Sequence, residues 1–152
     1  MSTQGLYQLL DWTIISIKPG VPLSDDSLQA LRSLLPDSLI VAALDLIDRA
    51  QVLKYNTPWG RHFYKVTGST QNYSVNVDLP CPVPVYCSCP AFSYNVLISD
   101  NQAMCKHVLA VQLARRLGRC SERSVTHDEL LCVVCPEVFD VQEEEQSVLN
   151  IS

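Results

Sequence analysis

Four residues constrain this chain more than any others: Cys87 and Cys89, then, after fifteen intervening residues, Cys105 and His107. Three thiols and one imidazole in two close pairs form the donor set of a closed tetrahedral zinc site. Zinc accepts sulfur and nitrogen, and four protein ligands leave no open position for water. Such a site holds a fold together and does not activate water. The spacing supplies one complete set and no second, so it predicts one structural zinc per chain.

Each half of the set implies a local geometry. On an extended segment, Cys87 and Cys89 point to the same face, because side chains alternate with period two. The approach Val83-Pro84-Val85-Tyr86 suits an edge strand. Cys105 and His107 cannot both lie inside an α-helix and reach one ion, since residues two apart face nearly opposite sides. Cys105 therefore belongs in the turn before a helix, or in its first turn, with His107 in the first turn. The helix continues from Val108 to Leu117, and Gly118 stops it. The positive end of its dipole favours thiolate, and Lys106 offsets part of the negative charge of a three-thiolate zinc centre.

The pattern C-x-C, spacer, C-x-H resembles the SWIM zinc-finger family. Here it reads C-S-C-P-A-F from Cys87 and C-K-H-V-L-A-V-Q-L-A from Cys105. The extended form C-x-H-x-x-A, ending at Ala110, is similar to the SWIM subunits of Shu complexes. So are A-L-D-L-I-D-R at Ala43 to Arg49 and G-R-H-F-Y-K-V-T-G-S at Gly60 to Ser69. The resemblance covers roughly residues 42 to 117, half of the chain. It implies a non-catalytic zinc-binding subunit, partnered by a RecA-like recombinase paralogue. That complex would support recombinase filaments on single-stranded DNA during homologous recombination and DNA repair in the nucleus. The DNA would be met mainly through the complex. The repair role is implied by the resemblance alone.

At 152 residues, with 47% apolar and 18% charged side chains, the chain is expected to form one compact domain over 1–135. The SWIM module occupies about 75–117, and 136–152 forms a flexible acidic tail. A net charge of −5 gives no global reason to bind nucleic acid. The charge is uneven, however. Lys106, Arg115, Arg116, Arg119 and Arg123 fall in one stretch with a single acid, Glu122, and no Lys or Arg follows Arg123. A binding face with a shielding tail and two solvated surfaces both fit this pattern. Seven cysteines and a start without a basic leader or cleavage region predict a reducing compartment and no secretion signal. No run is long enough to span a bilayer. No basic cluster reads as a nuclear address, and a chain of this size can enter the nucleus passively or with a partner.

The periodicities predict an α+β fold: N-terminal helices, a small antiparallel sheet, and a zinc-anchored strand–helix module. Leu6, Leu9, Leu10 and Ile14 recur at helical spacing up to Lys18-Pro19-Gly20. A second helix fits Asp25 to Leu35 behind a Ser24 cap. A third follows an Asp37 or Ser38 cap, with Ile40, Ala43, Leu44 and Ile47 on one stripe. Val52 to Asn56, Phe63 to Gly68 and Tyr73 to Leu79 read as an antiparallel meander. A short helical piece is expected near Ala91 to Leu97. Thr126-x-x-Glu129 is a capping box before a last short helix.

Other chemistry is sparse. Cys132-x-x-Cys135 has neither a redox context nor a second metal pair, so both read as ordinary thiols on a helix, with Cys132 packed. His62 and His127 read as surface residues. No nucleophile–base order, phosphate loop or paired-carboxylate setting appears, so no enzyme is expected. On the zinc-proximal helix, Ala110, Ala114 and Leu117 form a small flat line offered as a partner-binding face. An alternative function is a direct single-stranded nucleic-acid module. In it Lys106, Arg115, Arg116 and Arg119 would contact phosphates, and Tyr86, Phe92 and Tyr94 would stack bases.

Overall fold

The computed structural model describes residues 2–134, and the expected acidic tail and Cys135 lie outside them. The chain runs through three helices, α1 (Thr3–Ser16), α2 (Asp25–Arg32) and α3 (Asp37–Asp48). It then forms strands β1 (Val52–Asn56), β2 (His62–Thr67), β3 (Asn72–Val77) and β4 (Val85–Cys87). A π-helical segment (Phe92–Ile98), α4 (Lys106–Leu117), β5 (Ser121–Ser124) and α5 (His127–Val134) complete it. The fold is α+β.

The helix starts follow local chemistry. Ser2 and Ser24 cap α1 and α2 by accepting from the amides of Gly5 and Ser27. The second helix is shorter than expected. The Leu34 and Leu35 amides both turn back to the Leu31 carbonyl, yet Leu35 stays buried. Neither Asp37 nor Ser38 caps α3. Pro36 holds that position, its carbonyl accepts from Leu39 and Ile40, and Asp37 instead pairs with Arg32 at 3.1 Å. On α3 it is Leu46, more than Leu44, that joins Ile40, Ala43 and Ile47 in the core. The predicted capping box is formed: Thr126 Oγ1 accepts from the Glu129 amide, and Glu129 accepts from the Thr126 amide.

The sheet has the order β4-β3-β2-β1-β5. The meander from β1 to β4 is antiparallel, as expected. The sheet as a whole is mixed, because β5 adds to β1 in parallel, with Leu53 opposite Ser121 and Asn56 opposite Ser124. Every residue of β5 is exposed, so it carries no hydrophobic alternation to announce it. It is held by the ladder, by Lys54 Nζ to Glu122 at 3.3 Å and by Asn56 Nδ2 to Glu122 at 3.2 Å. Charged side chains also blunt the edge it forms.

Helix α4 sits at the centre. It contacts α1 and α3 and also β1 to β4, and every residue from His107 to Ala114 is buried. Leu109 and Leu113 have no exposed surface, and burial of such a side chain is worth about 1.5–3 kcal/mol. Gly118 ends the helix in the left-handed conformation at φ 66°, and the Arg119 amide returns to the Ala114 carbonyl.

This central position corrects one expectation. Ala110 and Ala114 have no exposed surface, and Leu117 packs partly buried against the core. The alanine line is not a free face. Small residues are needed there because helix and sheet elements close in around α4.

Candidate metal centre

Strand β4 delivers the first pair. Its ladder to β3 sets Val75 opposite Cys87 and Val77 opposite Val85. The register continues one residue further: Ser88 donates its amide to the Ser74 carbonyl, and its hydroxyl oxygen accepts from the Ser74 amide, both at 3.0 Å. Cys87 and Cys89 therefore turn inward while Ser88 stays on the outer edge. Cys89 also starts the π-helical segment. Its carbonyl accepts from Phe92 and Ser93, and its Sγ accepts from the Phe92 amide at 3.3 Å.

The second pair lies where the spacing argument put it. Cys105 is the residue before α4, with extended φ −91° and ψ 170°, and its carbonyl takes the first helical bond from Leu109. His107 stands in the first turn. The four ligand atoms all lie within 4.8 Å of one another, and all four residues are buried. His107 Nδ1 faces Cys87 Sγ at 3.8 Å and Cys105 Sγ at 4.0 Å.

These distances suit an ion at the centre. Tetrahedral zinc with bonds of about 2.3 Å to sulfur and 2.0–2.1 Å to nitrogen gives sulfur–nitrogen edges of about 3.6 Å. The residues present thus fit a single zinc, held by three thiolates and Nδ1 of one imidazole. The His107 Nε2 atom is buried with no hydrogen-bond partner among the described residues. Its ring is instead fixed by Tyr73, which lies against it at 4.4 Å between centroids and a 33° tilt.

The electrostatics show three thiols too close to ionise independently. Hydrogen bonds with Cys105 and Cys89, and then burial, push the Cys87 thiol far up. Hydrogen bonds received from Cys105 and Cys87 pull Cys89 far down. Cys105 is pushed up to about 12: its bond with Cys87 lowers it, while its bond with Cys89 and burial raise it by more. The three thiols therefore oppose one another's full ionisation until a cation offsets the charge.

Three of the four basic residues expected to meet nucleic acid have partners within the chain. Arg115 pairs with Asp78 at 2.8 Å and lies 5.8 Å from the Tyr64 ring centroid. Arg116 donates from Nε to the Ile17 carbonyl at 2.6 Å and from Nη2 to the Ile15 carbonyl, closing the end of α1. Arg119 reaches Asp48 at 3.5 Å. Lys106 is exposed beside the metal ligands. Of the aromatic residues offered for stacking, Phe92 is fully buried, while Tyr86 and Tyr94 are exposed.

Cys132 is exposed, not packed, because α5 buries none of its residues. His62 and His127 are exposed, and His127 meets Trp59 edge-on at 5.7 Å. Tyr73 and Asp78 escaped the sequence reading of the site. Tyr73 was signalled by parity, since it shares a strand face with Val75, which pairs with Cys87. Asp78 carried no such signal: it sits just past β3 with φ 59°, and only the fold brings it to Arg115.

The SWIM zinc-finger family model matches residues 73–115. The chain is similar to "Zinc finger SWIM domain-containing protein 7" of Homo sapiens, 32% identical over 86% of this chain and 89% of the human protein. The Mus musculus protein of the same name is 34% identical over 81% of this chain and 78% of its own length. The Dictyostelium discoideum homologue is 34% identical over 60% of this chain and 56% of its own. No solved structure matches the chain.

Proposed function

Because the chain belongs to the SWIM zinc-finger family, in the group of Zinc finger SWIM domain-containing protein 7, we propose that it is a non-catalytic subunit of a Shu-type complex. It binds a RecA-like recombinase paralogue, and the pair supports recombinase filaments in homologous recombination and DNA repair in the nucleus. The observation that carries the non-catalytic part is the closed donor set: Cys87, Cys89, Cys105 and His107 are all buried and together complete a tetrahedral shell. Zinc supplies cross-linking here, and the chain's own residues do the rest. They seat α4 between helices and sheet and thereby fix the outer surface of the molecule. No helix among the described residues is long and apolar enough to cross a membrane.

Direct binding of single-stranded nucleic acid through α4 is the less favoured reading. Arg115, Arg116 and Arg119 each already have an intramolecular partner. The test is co-expression with a recombinase paralogue of the same genome, using wild type and Cys105→Ser. Co-purification of the wild type, lost in Cys105→Ser together with zinc, is the expected result. A wild-type chain that leaves the paralogue behind overturns the partner assignment.

A further inference from the structure

The face of the sheet turned away from α4 is set by β2. Tyr64 and Val66 point inward and are buried, whereas Phe63 and Lys65 alternate with them on the other side. Arg61, the residue before the strand, has the same parity. Phe63 thus stands between two cations, and its ring stacks on Tyr55 at 5.1 Å and 5°. These residues belong to the Gly60 to Ser69 segment, which supplies no metal ligand.

A groove of about 670 Å³ opens here, and its walls include Trp59, Arg61, Phe63, Lys65, Leu130 and Val134. Clefts that hold a ligand are of this size, about 300–1,000 Å³. The groove is positive. Arg61 and Lys65 form no ion pair among the described residues. Asp78, the one carboxylate in the wall, is held by Arg115 at 2.8 Å. Helix α5 forms part of the wall yet buries none of its residues, and Leu131 and Val134 are each 56% exposed. Val134, the last residue of α5, lies in the groove wall and is where the described chain stops.

The residues that follow match both the charge and the apolar lining. From Cys135 to Glu145 there are five acids, Glu137, Asp140, Glu143, Glu144 and Glu145, with no Lys or Arg, and the apolar Val138, Phe139 and Val141. A chain reaches at most about 3.3–3.6 Å per residue, so Glu137 lies within about 11 Å of Val134 and Asp140 within about 22 Å. Along β2, Arg61 and Lys65 are about 13 Å apart, which that reach covers.

We propose that this groove is the docking site of the chain's own segment Glu137 to Asp140, with Phe139 on the apolar lining and the two acids paired to Arg61 and Lys65. Exposed ion pairs alone are weak. The tether changes this, because a segment three residues from the wall acts at an effective concentration in the millimolar range. A nucleic acid strand is the poorer occupant: two cations neutralise few phosphates, and the net charge of −5 opposes its approach. The docked segment shields the sheet face, and an acidic segment of another molecule enters only by displacing it.

The experiment is chymotrypsin cleavage after Phe139 in the zinc-loaded full chain, followed by mass spectrometry of the released 140–152 fragment. Cleavage tracks the undocked population. Wild type, Arg61→Glu with Lys65→Glu, Glu137→Lys with Asp140→Lys, and all four changes together are each compared with a free peptide of their own residues 135–152. Zinc content and unfolding midpoint are read in parallel; Arg61 and Lys65 have no ion-pair partner among the described residues, so their reversal keeps both. The expected result is wild-type cleavage at least about tenfold slower than in the peptide, loss of that protection in either reversed pair, and its return when the two reversals are combined. Wild-type cleavage at the peptide rate overturns the proposal, and so does protection that survives both reversals. Cleavage at the peptide rate, with single-stranded oligonucleotide binding that Arg61→Glu with Lys65→Glu abolishes, assigns the groove to nucleic acid instead.

Discussion

Tyr73 on β3 lays its ring against the imidazole of His107 on α4, with centroids 4.4 Å apart, and this contact orients the one nitrogen ligand of the metal set. Metal-binding histidines usually have the second ring nitrogen tied to an acceptor; here Nε2 has none among the described residues. The ring face does that work. Tyr73→Ala should therefore weaken zinc retention by about 10–100-fold, the usual cost of losing an outer-layer partner. Tyr73→Phe should leave it unchanged. Competition with a colorimetric chelator reads both variants, and equal losses would move the effect from the ring to the hydroxyl.

Purified protein should hold one zinc per chain. Cys87→Ser and His107→Ala should unfold the sheet-and-α4 half, because a structural zinc contributes folding free energy directly, about 10–16 kcal/mol of apparent binding in small fingers. Metal analysis with protease resistance tests this. Full resistance in a zinc-free variant contradicts a structural metal.

Zinc affinity should fall on acidification. Cys89 is already held low, whereas Cys87 is pushed up and Cys105 lies at about 12. Near neutral pH two of the three thiols are protonated before binding. Zinc must displace the protons that the raised Cys87 and Cys105 thiols hold, so affinity falls steadily as the pH drops below the Cys105 value. Calorimetry in buffers of different ionisation enthalpy counts these protons, and a pH-independent affinity contradicts the shared-proton arrangement.

Ala110→Arg should lose zinc and partner together. Ala110 has no exposed surface, and forcing a charge into that position costs several kcal/mol. Thermal unfolding and metal content decide the matter. A folded, zinc-loaded Ala110→Arg protein would return the alanine line to the surface.

Arg116→Ala should destabilise the chain by about 1.5–3 kcal/mol per charged hydrogen bond lost, through release of the α1 end. Denaturant unfolding reads this. The same variant should not change any binding of single-stranded DNA by the isolated chain, since its guanidinium is already engaged.

The metal set was legible because its geometry is local. Two residues apart on a strand and two apart across a helix start are distances that covalent structure fixes, and Cys105 at the helix cap follows from them. The meander and the Thr126–Glu129 box were readable for the same reason. What escaped was long-range or featureless. No residue of β5 is apolar on one face, so a parallel partner for β1 left no trace in the sequence. The exposure of the α4 alanine line was misjudged because a periodic stripe says which residues share a face, not how many elements crowd around the helix. The arginines looked like a patch in sequence and became three separate anchors once Asp78, Asp48 and the end of α1 were in place.

The parallel pairing of β5 with β1 has a further consequence. The two strands are joined across a sequence separation of 68 residues, as in Lys54 and Glu122, and all four zinc ligands lie between them. Tying Cys87 to Cys105 shortens that closure only slightly; what the metal gives β5 is a fixed α4, whose end at Gly118 leads straight into the strand. β5 in turn caps the Leu53 and Tyr55 side of the sheet, so the short exposed strand closes an edge of β1 that would otherwise be a template for intermolecular pairing.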